Sequence, residues 1–247
     1  GQIILYGAGA EANVIQGNYI GTTASGRGPI PGPVGIAIAE GAANNVIGGT
    51  ALAARNIIAF SQGDGVRVHT LPGGSTARGN TIRGNTIYSN GGLGINLQPD
   101  GEAAGTVTLN DPGDGDSGPN NLQNFPTLNS VTVESSTTII KGYLNSTART
   151  VFKLDFYRSP AADASGYGEG KFYIGSARVT TNKNGNVLLN VSLPIVVPAG
   201  QRITATATNA ITGDTSEFSR ARIAVAAPSI TVASTPSRSG VRLSLEF

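Results

Sequence analysis

The chain contains no cysteine, no methionine and no tryptophan, and its single histidine is His69. Without cysteine there is no disulfide, no thiolate nucleophile and no Cys-ligated metal. With one histidine, a hydrolytic triad is confined to the surroundings of His69. Asp64 is near it in sequence, but Ser61 and Ser75 fall in ordinary turns, so a surface histidine on a loop is expected. Charge is scarce too: 13% of residues are charged and the net charge is +2. The 17 Lys and Arg are spread thinly, which leaves no clustered basic face for nucleic acid. No apolar run approaches the roughly 18 residues of a membrane helix. No signal peptide is recognisable.

What the chain has is glycine, asparagine and repetition. Asn13-Val-Ile-Gln-Gly-Asn-Tyr-Ile-Gly is followed by Gly35-Ile-Ala-Ile. Asn45-Val-Ile-Gly-Gly-Thr and Arg55-Asn-Ile-Ile are followed by Gly65-Val-Arg-Val. Asn80-Thr-Ile-Arg-Gly-Asn-Thr-Ile is followed by Gly94-Ile-Asn-Leu. A recurrence of about 30 residues with strand-like content predicts a solenoid of roughly three coils. Ile and Val at alternate positions point inward, as in Ile36/Ile38, Val66/Val68 and Ile95/Leu97. The repeated asparagines suit left-handed turns and can stack from coil to coil. Asn18, Asn56 and Asn85 are expected to form a second such ladder. The Gly1-Gln-Ile-Ile-Leu start matches the middle of a coil, so further coils before Gly1, or a subunit covering that end, are expected.

The texture then changes. The expected division is parallel β-helix repeats over 1–105, an Asp/Gly/Asn-rich linker over 106–126, an immunoglobulin-like β-sandwich over 127–225 and a β-prone tail over 226–247. Alternation and turn signals predict strands near Leu128–Glu134, Thr138–Leu144, Val151–Arg158, Phe172–Thr181, Val187–Leu193, Arg202–Asn209 and Ser216–Val225. The absence of a Cys pair and a core Trp separates this unit from antibody-type domains. Ser229–Ala233 and Val241–Leu245 are two further β-prone pieces that could pair as a hairpin.

The ordered phrases "NVIQGNYIGT", "NNVIGGT", "RNIIAFS", "NTIRGNTIYSNGGLGINL", "NDPGDGDSGPNNLQNFP", "SGYGEG" and "ITATATN…GDTSEFS" cover about residues 1–220. They resemble large bacterial secreted or surface-anchored right-handed parallel β-helix repeat proteins with pectate-lyase-like coils. The resemblance implies an all-β chain, a β-sandwich module after the last coil and an extracellular setting. One departure is Ala162, before Asp163, where relatives are expected to carry a cysteine.

Several residues are candidates for chemistry. Asp111, Asp114 and Asp116, with Asn110 and Asn120 nearby, offer hard oxygens on a Gly-rich loop, which is what Ca2+ takes. The EF-hand spacing is not met, because no Glu stands at the last position of such a loop. Glu11 and Glu40 occupy similar points of successive coils and could stack as a glycosidase carboxylate pair. A lyase would need a basic residue in a groove, and Arg67 and Arg83 are available if they share a face. Tyr19 and Tyr88 fall at comparable coil positions and could stack on a glycan. Ser165-Gly-Tyr-Gly-Glu-Gly170 reads as an irregular loop with Tyr167 pinned to the second unit, not as a phosphate-binding turn between a strand and a helix. The expected role is an extracellular, non-catalytic structural or adhesive module touching glycan, extracellular matrix or copies of itself. Two alternatives stay open: a self-assembling filament subunit, and a polysaccharide lyase or glycoside hydrolase acting on the coil face.

Overall fold

The computed structural model describes residues 1–228, 231–237 and 240–246, with side chains through residue 228. The chain is all-β apart from two short 3-10 turns. Its first part is a solenoid of about three turns. The coils contribute β1 (Ile3–Tyr6), β2 (Val14–Ile15) and β3 (Tyr19–Ile20), then β4 (Ile36–Ala39), β5 (Val46–Gly48) and β6 (Ile57–Ala59), then β7 (Val66–His69), β8 (Thr81–Arg83) and β9 (Thr86–Tyr88), and finally β10 (Ile95–Gln98). They stack into three parallel sheets, β1-β4-β7-β10, β2-β5-β8 and β3-β6-β9. Register is kept by side-chain identity. Ile3, Ile36, Val66 and Ile95 align in one row, and Leu5, Ile38, Val68 and Leu97 in the next.

The strands are short because each coil must turn three times within a single repeat. Their inward positions are fully buried at Ile36, Ile38, Ile47, Ile58, Val66 and Val68. Burying a branched aliphatic side chain contributes roughly 1.5–3 kcal/mol, so this column of Ile and Val supplies most of what the thin coils can offer. The left-handed residue at a ladder turn is not the asparagine, as the sequence suggested, but the residue before it. Ala12, Gly17, Asn44, Gly79, Gly84 and Ser89 all have positive φ, and each precedes a ladder asparagine. Arg55, before Asn56, is extended instead, and a 3-10 turn at Leu52–Ala54 makes the corner there.

The second part holds β11 (Thr127–Val133), β12 (Thr138–Asn145), β13 (Val151–Ser159), β14 (Phe172–Thr180), β15 (Asn186–Leu193), β16 (Arg202–Asn209) and β17 (Arg222–Ala226). They form one seven-stranded sheet in the order β14-β13-β16-β17-β11-β12-β15. Neighbours are antiparallel except β11 and β17, which are parallel. The sheet curls so that its two edge strands meet: a Cβ placed on Gly175 of β14 would lie 3.0 Å from Leu193 Cδ2 of β15. Phe152, Leu154 and Phe156 form the centre of its own core. Six of the seven predicted strands match closely. The seventh, predicted from Ser216, begins only at Arg222: Ser216 and Ser219 still bond to Ala207 and Ala205 of β16, but their hydroxyls replace backbone acceptors there, and Glu217 and Phe218 reach the solenoid end.

The predicted linker also divides in two. Residues 118–126 are buried except for the partly exposed Asn121, and Leu122 packs into the solenoid core. Only the Asp/Gly half behaves as a surface loop. The tail forms an antiparallel hairpin of β18 (Thr231–Ser237) and β19 (Gly240–Glu246), with Thr231 opposite Glu246. Ser229 and Ile230, at the start of the first β-prone piece, lie outside the described residues.

Candidate functional site

The polar architecture is dominated by asparagine ladders that run the length of the solenoid. The backbone N–H and Nδ2 of Asn13 both donate to Asn45 Oδ1, at 2.9 Å each. Asn45 donates in the same way to Asn80 Oδ1. The second ladder runs from Asn18 to Asn56 to Asn85 with the same double donation. Each inner rung also sends Nδ2 to a carbonyl of the preceding coil, as Asn85 does to Ile47 O at 2.9 Å. A buried amide satisfied on every side stabilises its turn, whereas an unpaired one would cost about 1–3 kcal/mol.

The last coil has no further coil to donate to, and residues from the linker and the second part take that place. Asn120 Oδ1 accepts from Asn80 N at 3.0 Å. Thr215 Oγ1 accepts from Ile82 N at 3.0 Å, and the Tyr157 hydroxyl accepts from Gly84 N at 2.9 Å. Glu169 Oε1 accepts from both the backbone and the side chain of Asn90, at 3.1 and 2.8 Å. Glu217 accepts from Leu97 N at 2.9 Å with one oxygen and from Thr108 N at 3.1 Å with the other. Beneath these bonds, Phe218 and Tyr157 close the apolar core of the solenoid. Arg83 and Asp155 join the two parts by a bidentate pair of 2.8 and 2.7 Å, and Asp155 is fully buried. Burial pushes Glu169 up to about 7, against the lowering effect of Asn90. Burial drives Glu217 well above the usual carboxylate range.

The three loop aspartates do converge. Carboxylate oxygens of Asp111, Asp114 and Asp116 lie within 4.8 Å of one another. The loop is held by side-chain amides: Gly113 N donates to Asn145 Oδ1 at 2.7 Å, and Asn124 Nδ2 donates to Asp111 O at 2.7 Å and Asn145 O at 3.0 Å. Asp114 accepts from Asn124 N at 2.8 Å and from Ser146 Oγ at 2.7 Å. Asp111 Oδ1 and Asp116 Oδ1 are buried and accept no hydrogen bond among the described residues. Burial raises Asp114 to about 6, with its two acidic neighbours adding to the rise. Asn110 and Asn120 do not serve this cluster. Asn110 pairs with the backbone of Phe125, and Asn120 is the ladder cap.

The other candidates disperse. Glu11 bridges to Ala43, whereas Glu40 follows Ala39, which pairs with Tyr6, so the two glutamates do not stack as expected. Glu11 accepts from Asn44 Nδ2, and Glu40 accepts from Leu71 N and Ser75 N. Arg67 and Arg83 belong to different sheets. Arg67 pairs with Asp64 at 2.6 Å. Buried Asp64 also accepts from Leu93 N and Asn96 Nδ2, which makes it a strut rather than a partner for His69. Burial and Arg67 both lower the His69 pKa.

Tyr19 and Tyr88 sit in the same sheet but not in the same row, since Tyr19 aligns with Ile57 and Tyr88 with Ala59. Both brace the proline-rich insertion. The Tyr88 hydroxyl donates to Gly26 O at 2.8 Å, and a Cβ on Gly26 would lie 3.1 Å from the Tyr19 ring. They also open onto separate clefts where the solenoid meets the sheet. Tyr19 lines a cleft of about 450 Å3 with Leu52, Arg55, Phe172 and Tyr173. Tyr88 lines one of about 340 Å3 with Glu169 and Lys171.

The capping residues Tyr157, Glu169, Thr215 and Glu217 were not among the sequence candidates, and Asn120 was one only for the aspartate loop. A signal was present: Asn120, Glu169 and Glu217 lie within three of the phrases that carry the family resemblance, and they are acceptors in otherwise apolar or Gly-rich surroundings. No family model and no curated protein matches the chain. Among solved structures it is similar to the BSP domain of a biofilm associated protein, with 19% identity and a TM-score of 0.28 over 45% of this chain and 16% of that one. A likeness that slight carries no functional argument.

Proposed function

We propose that this chain is a non-catalytic extracellular module, structural or adhesive, in which the curled sheet acts as the sandwich-like end piece of a short solenoid. The observation that supports it is the commitment of its acids. Glu40, Asp64, Asp155, Glu169 and Glu217 each hold backbone or side-chain donors, and the carboxylates nominated for catalysis on the coils do not face each other. A glycosidase needs two carboxyl groups flanking one bond, about 5–9.5 Å apart. The low charge and the Gly/Asn-rich turns suit a surface without strong fields. The test is incubation of the purified chain with a panel of neutral and acidic polysaccharides. The expected result is no new reducing ends and no unsaturated product. Release of either, lost in Glu40→Gln, overturns the reading.

A second reading concerns calcium. The acidic loop has the oxygen-only donor set that Ca2+ takes, and two of its buried carboxylate oxygens lack a donor among the described residues. Asp111, Asp114 and Asp116 would hold the ion, tying the loop to the end of β12 through Asn145 and Ser146. A rise in melting temperature with millimolar CaCl2, absent in Asp114→Asn, is the expected result. An unchanged melt in calcium removes the ion from the account.

A further inference from the structure

We infer that the cleft between the solenoid and the sheet binds an acidic glycan, with Arg55 taking the carboxylate of a uronate ring. The inference rests on the adhesive half of the reading above and names its ligand class. The cleft measures about 450 Å3. That is within the range of sites that hold a small ligand. Its walls carry exposed aromatic rings. Tyr19 is 51% exposed and Phe172 38%, although both are aromatic. Tyr173 completes the lining from the sheet side, so the cleft exists only where the two parts are docked. Pyranose rings present apolar C–H faces, and exposed aromatic rings are the surfaces on which such faces stack.

Cations lie against the rings at this joint, and Asp155, beside Tyr173, is already committed to Arg83. The Arg55 guanidinium lies 4.7 Å from the centre of the Tyr173 ring. Its Nε and Nη2 donate to Thr50 O, at 3.3 and 2.8 Å. That fixes the guanidinium and leaves Nη1 without a partner among the described residues. Arg158 lies 4.3 Å from the centre of the Phe172 ring, and Lys171 5.7 Å from it. The two ion pairs among the described residues are Arg67–Asp64 and Arg83–Asp155, so these three cations have no carboxylate partner there. No acidic residue lines the Tyr19 cleft.

A pre-positioned guanidinium with a free N–H beside stacked rings matches a planar carboxylate on a sugar ring. Single-stranded nucleic acid also stacks on aromatics, but it needs a basic groove that follows several phosphates. Arg55 is the cation that lines this cleft and Lys171 lines the neighbouring one, and in a chain of net charge +2 they do not make such a track.

The test is calorimetric titration of the intact chain with three probes: hexagalacturonate, a neutral hexasaccharide and a single-stranded oligonucleotide of matching charge. The expected result is that the acidic sugar binds about tenfold or more tightly than either other probe, and that its affinity falls with salt. Arg55→Gln and Tyr19→Ala should each weaken it about tenfold, and Tyr19→Phe, which keeps the ring, should stay within about twofold. Arg178→Gln, about 20 Å farther along β14, should change nothing. Melting temperatures within about 2 °C of the parent establish that each variant is folded. Equal affinity for the neutral sugar, tighter binding of the oligonucleotide, no binding at all, or insensitivity to both Arg55 and Tyr19 changes would each overturn the inference. None of those results bears on the absence of catalysis or on the solenoid cap.

Discussion

Replacing Asp114 by Asn should stabilise the metal-free chain and at the same time abolish its response to calcium. Asp114 is largely buried between Asn124 and Ser146, and without a cation its pKa rises from 3.8 to about 6. At about 1.36 kcal/mol per pKa unit this corresponds to at most about 3 kcal/mol, reduced by whatever solvent reaches the loop. The direction follows from a raised carboxyl. The folded state binds its proton more tightly than the unfolded state, so the stabilisation is full below pH 3.8. It is lost as the pH climbs to about 6 and stays lost at neutral pH. Asn keeps an oxygen for the Asn124 N–H and presents an amide to Ser146 Oγ, and it carries no charge. In EDTA at pH 7.5 the variant should gain about 1–2 kcal/mol, or roughly 2–6 °C in melting temperature for a chain of this size. Its stability should also be flatter between pH 4 and 6. In calcium the order should reverse if the proposed ion binds there, because it would stabilise the carboxylate form and not the amide. Differential scanning fluorimetry across pH, with EDTA or CaCl2, reads both effects. A variant less stable than the parent in EDTA at pH 7.5 would refute the argument, as would a parent whose stability does not change between pH 4 and 6.

Three further outcomes test the cap and the coils. Arg83→Met should cost about 3–5 kcal/mol by stranding Asp155, and adding Asp155→Leu should recover most of that loss in urea denaturation. Glu169→Gln keeps the Oε1 that both Asn90 donors use. It should therefore remove the loss of stability that Glu169 causes as the pH rises from 4.5 to about 7, and match or exceed the parent at pH 8. Gly84→Ala places a Cβ against the Gly49 carbonyl at a φ of +65°. A destabilisation above about 2 kcal/mol is expected there, readable as a lower melting temperature.

The coils were legible because their signal is both local and repeated. Alternating Ile and Val, with an Asn at each turn, gives the strands, the inward face and both ladders. Six sheet strands were legible for the same reason, since period-two alternation is a local property. The cap was not, because its logic is a pairing between distant residues. Glu217 meets Leu97 across 120 positions and Glu169 meets Asn90 across 79. By its own neighbours, the stretch from Ser216 looks like a strand. Its task is set by the donors of the last coil, and no window of sequence around Glu217 contains them. The glutamate pair failed for a related reason: Glu11 and Glu40 look equivalent by spacing, but backbone register decides what faces what, and it places Glu11 against Ala43. The aspartate cluster was found because its three members are close in sequence.

The ladders run in one direction, and that bears on how such a chain can change length. From side chain to side chain, Asn45 and Asn56 each receive from the coil before and give to the coil after, so the middle coils present complementary donors and acceptors on their two sides. A duplicated coil slipped into the middle would find its donors and acceptors already matched, and the rod would lengthen by about 4.8 Å. The end piece has no such freedom. Its carboxylates and hydroxyls face one particular set of N–H groups, and it can sit only where the stack stops. The solenoid is therefore the extensible element of the molecule, and the sheet with its acidic residues is the fixed terminator against which any number of coils can be set.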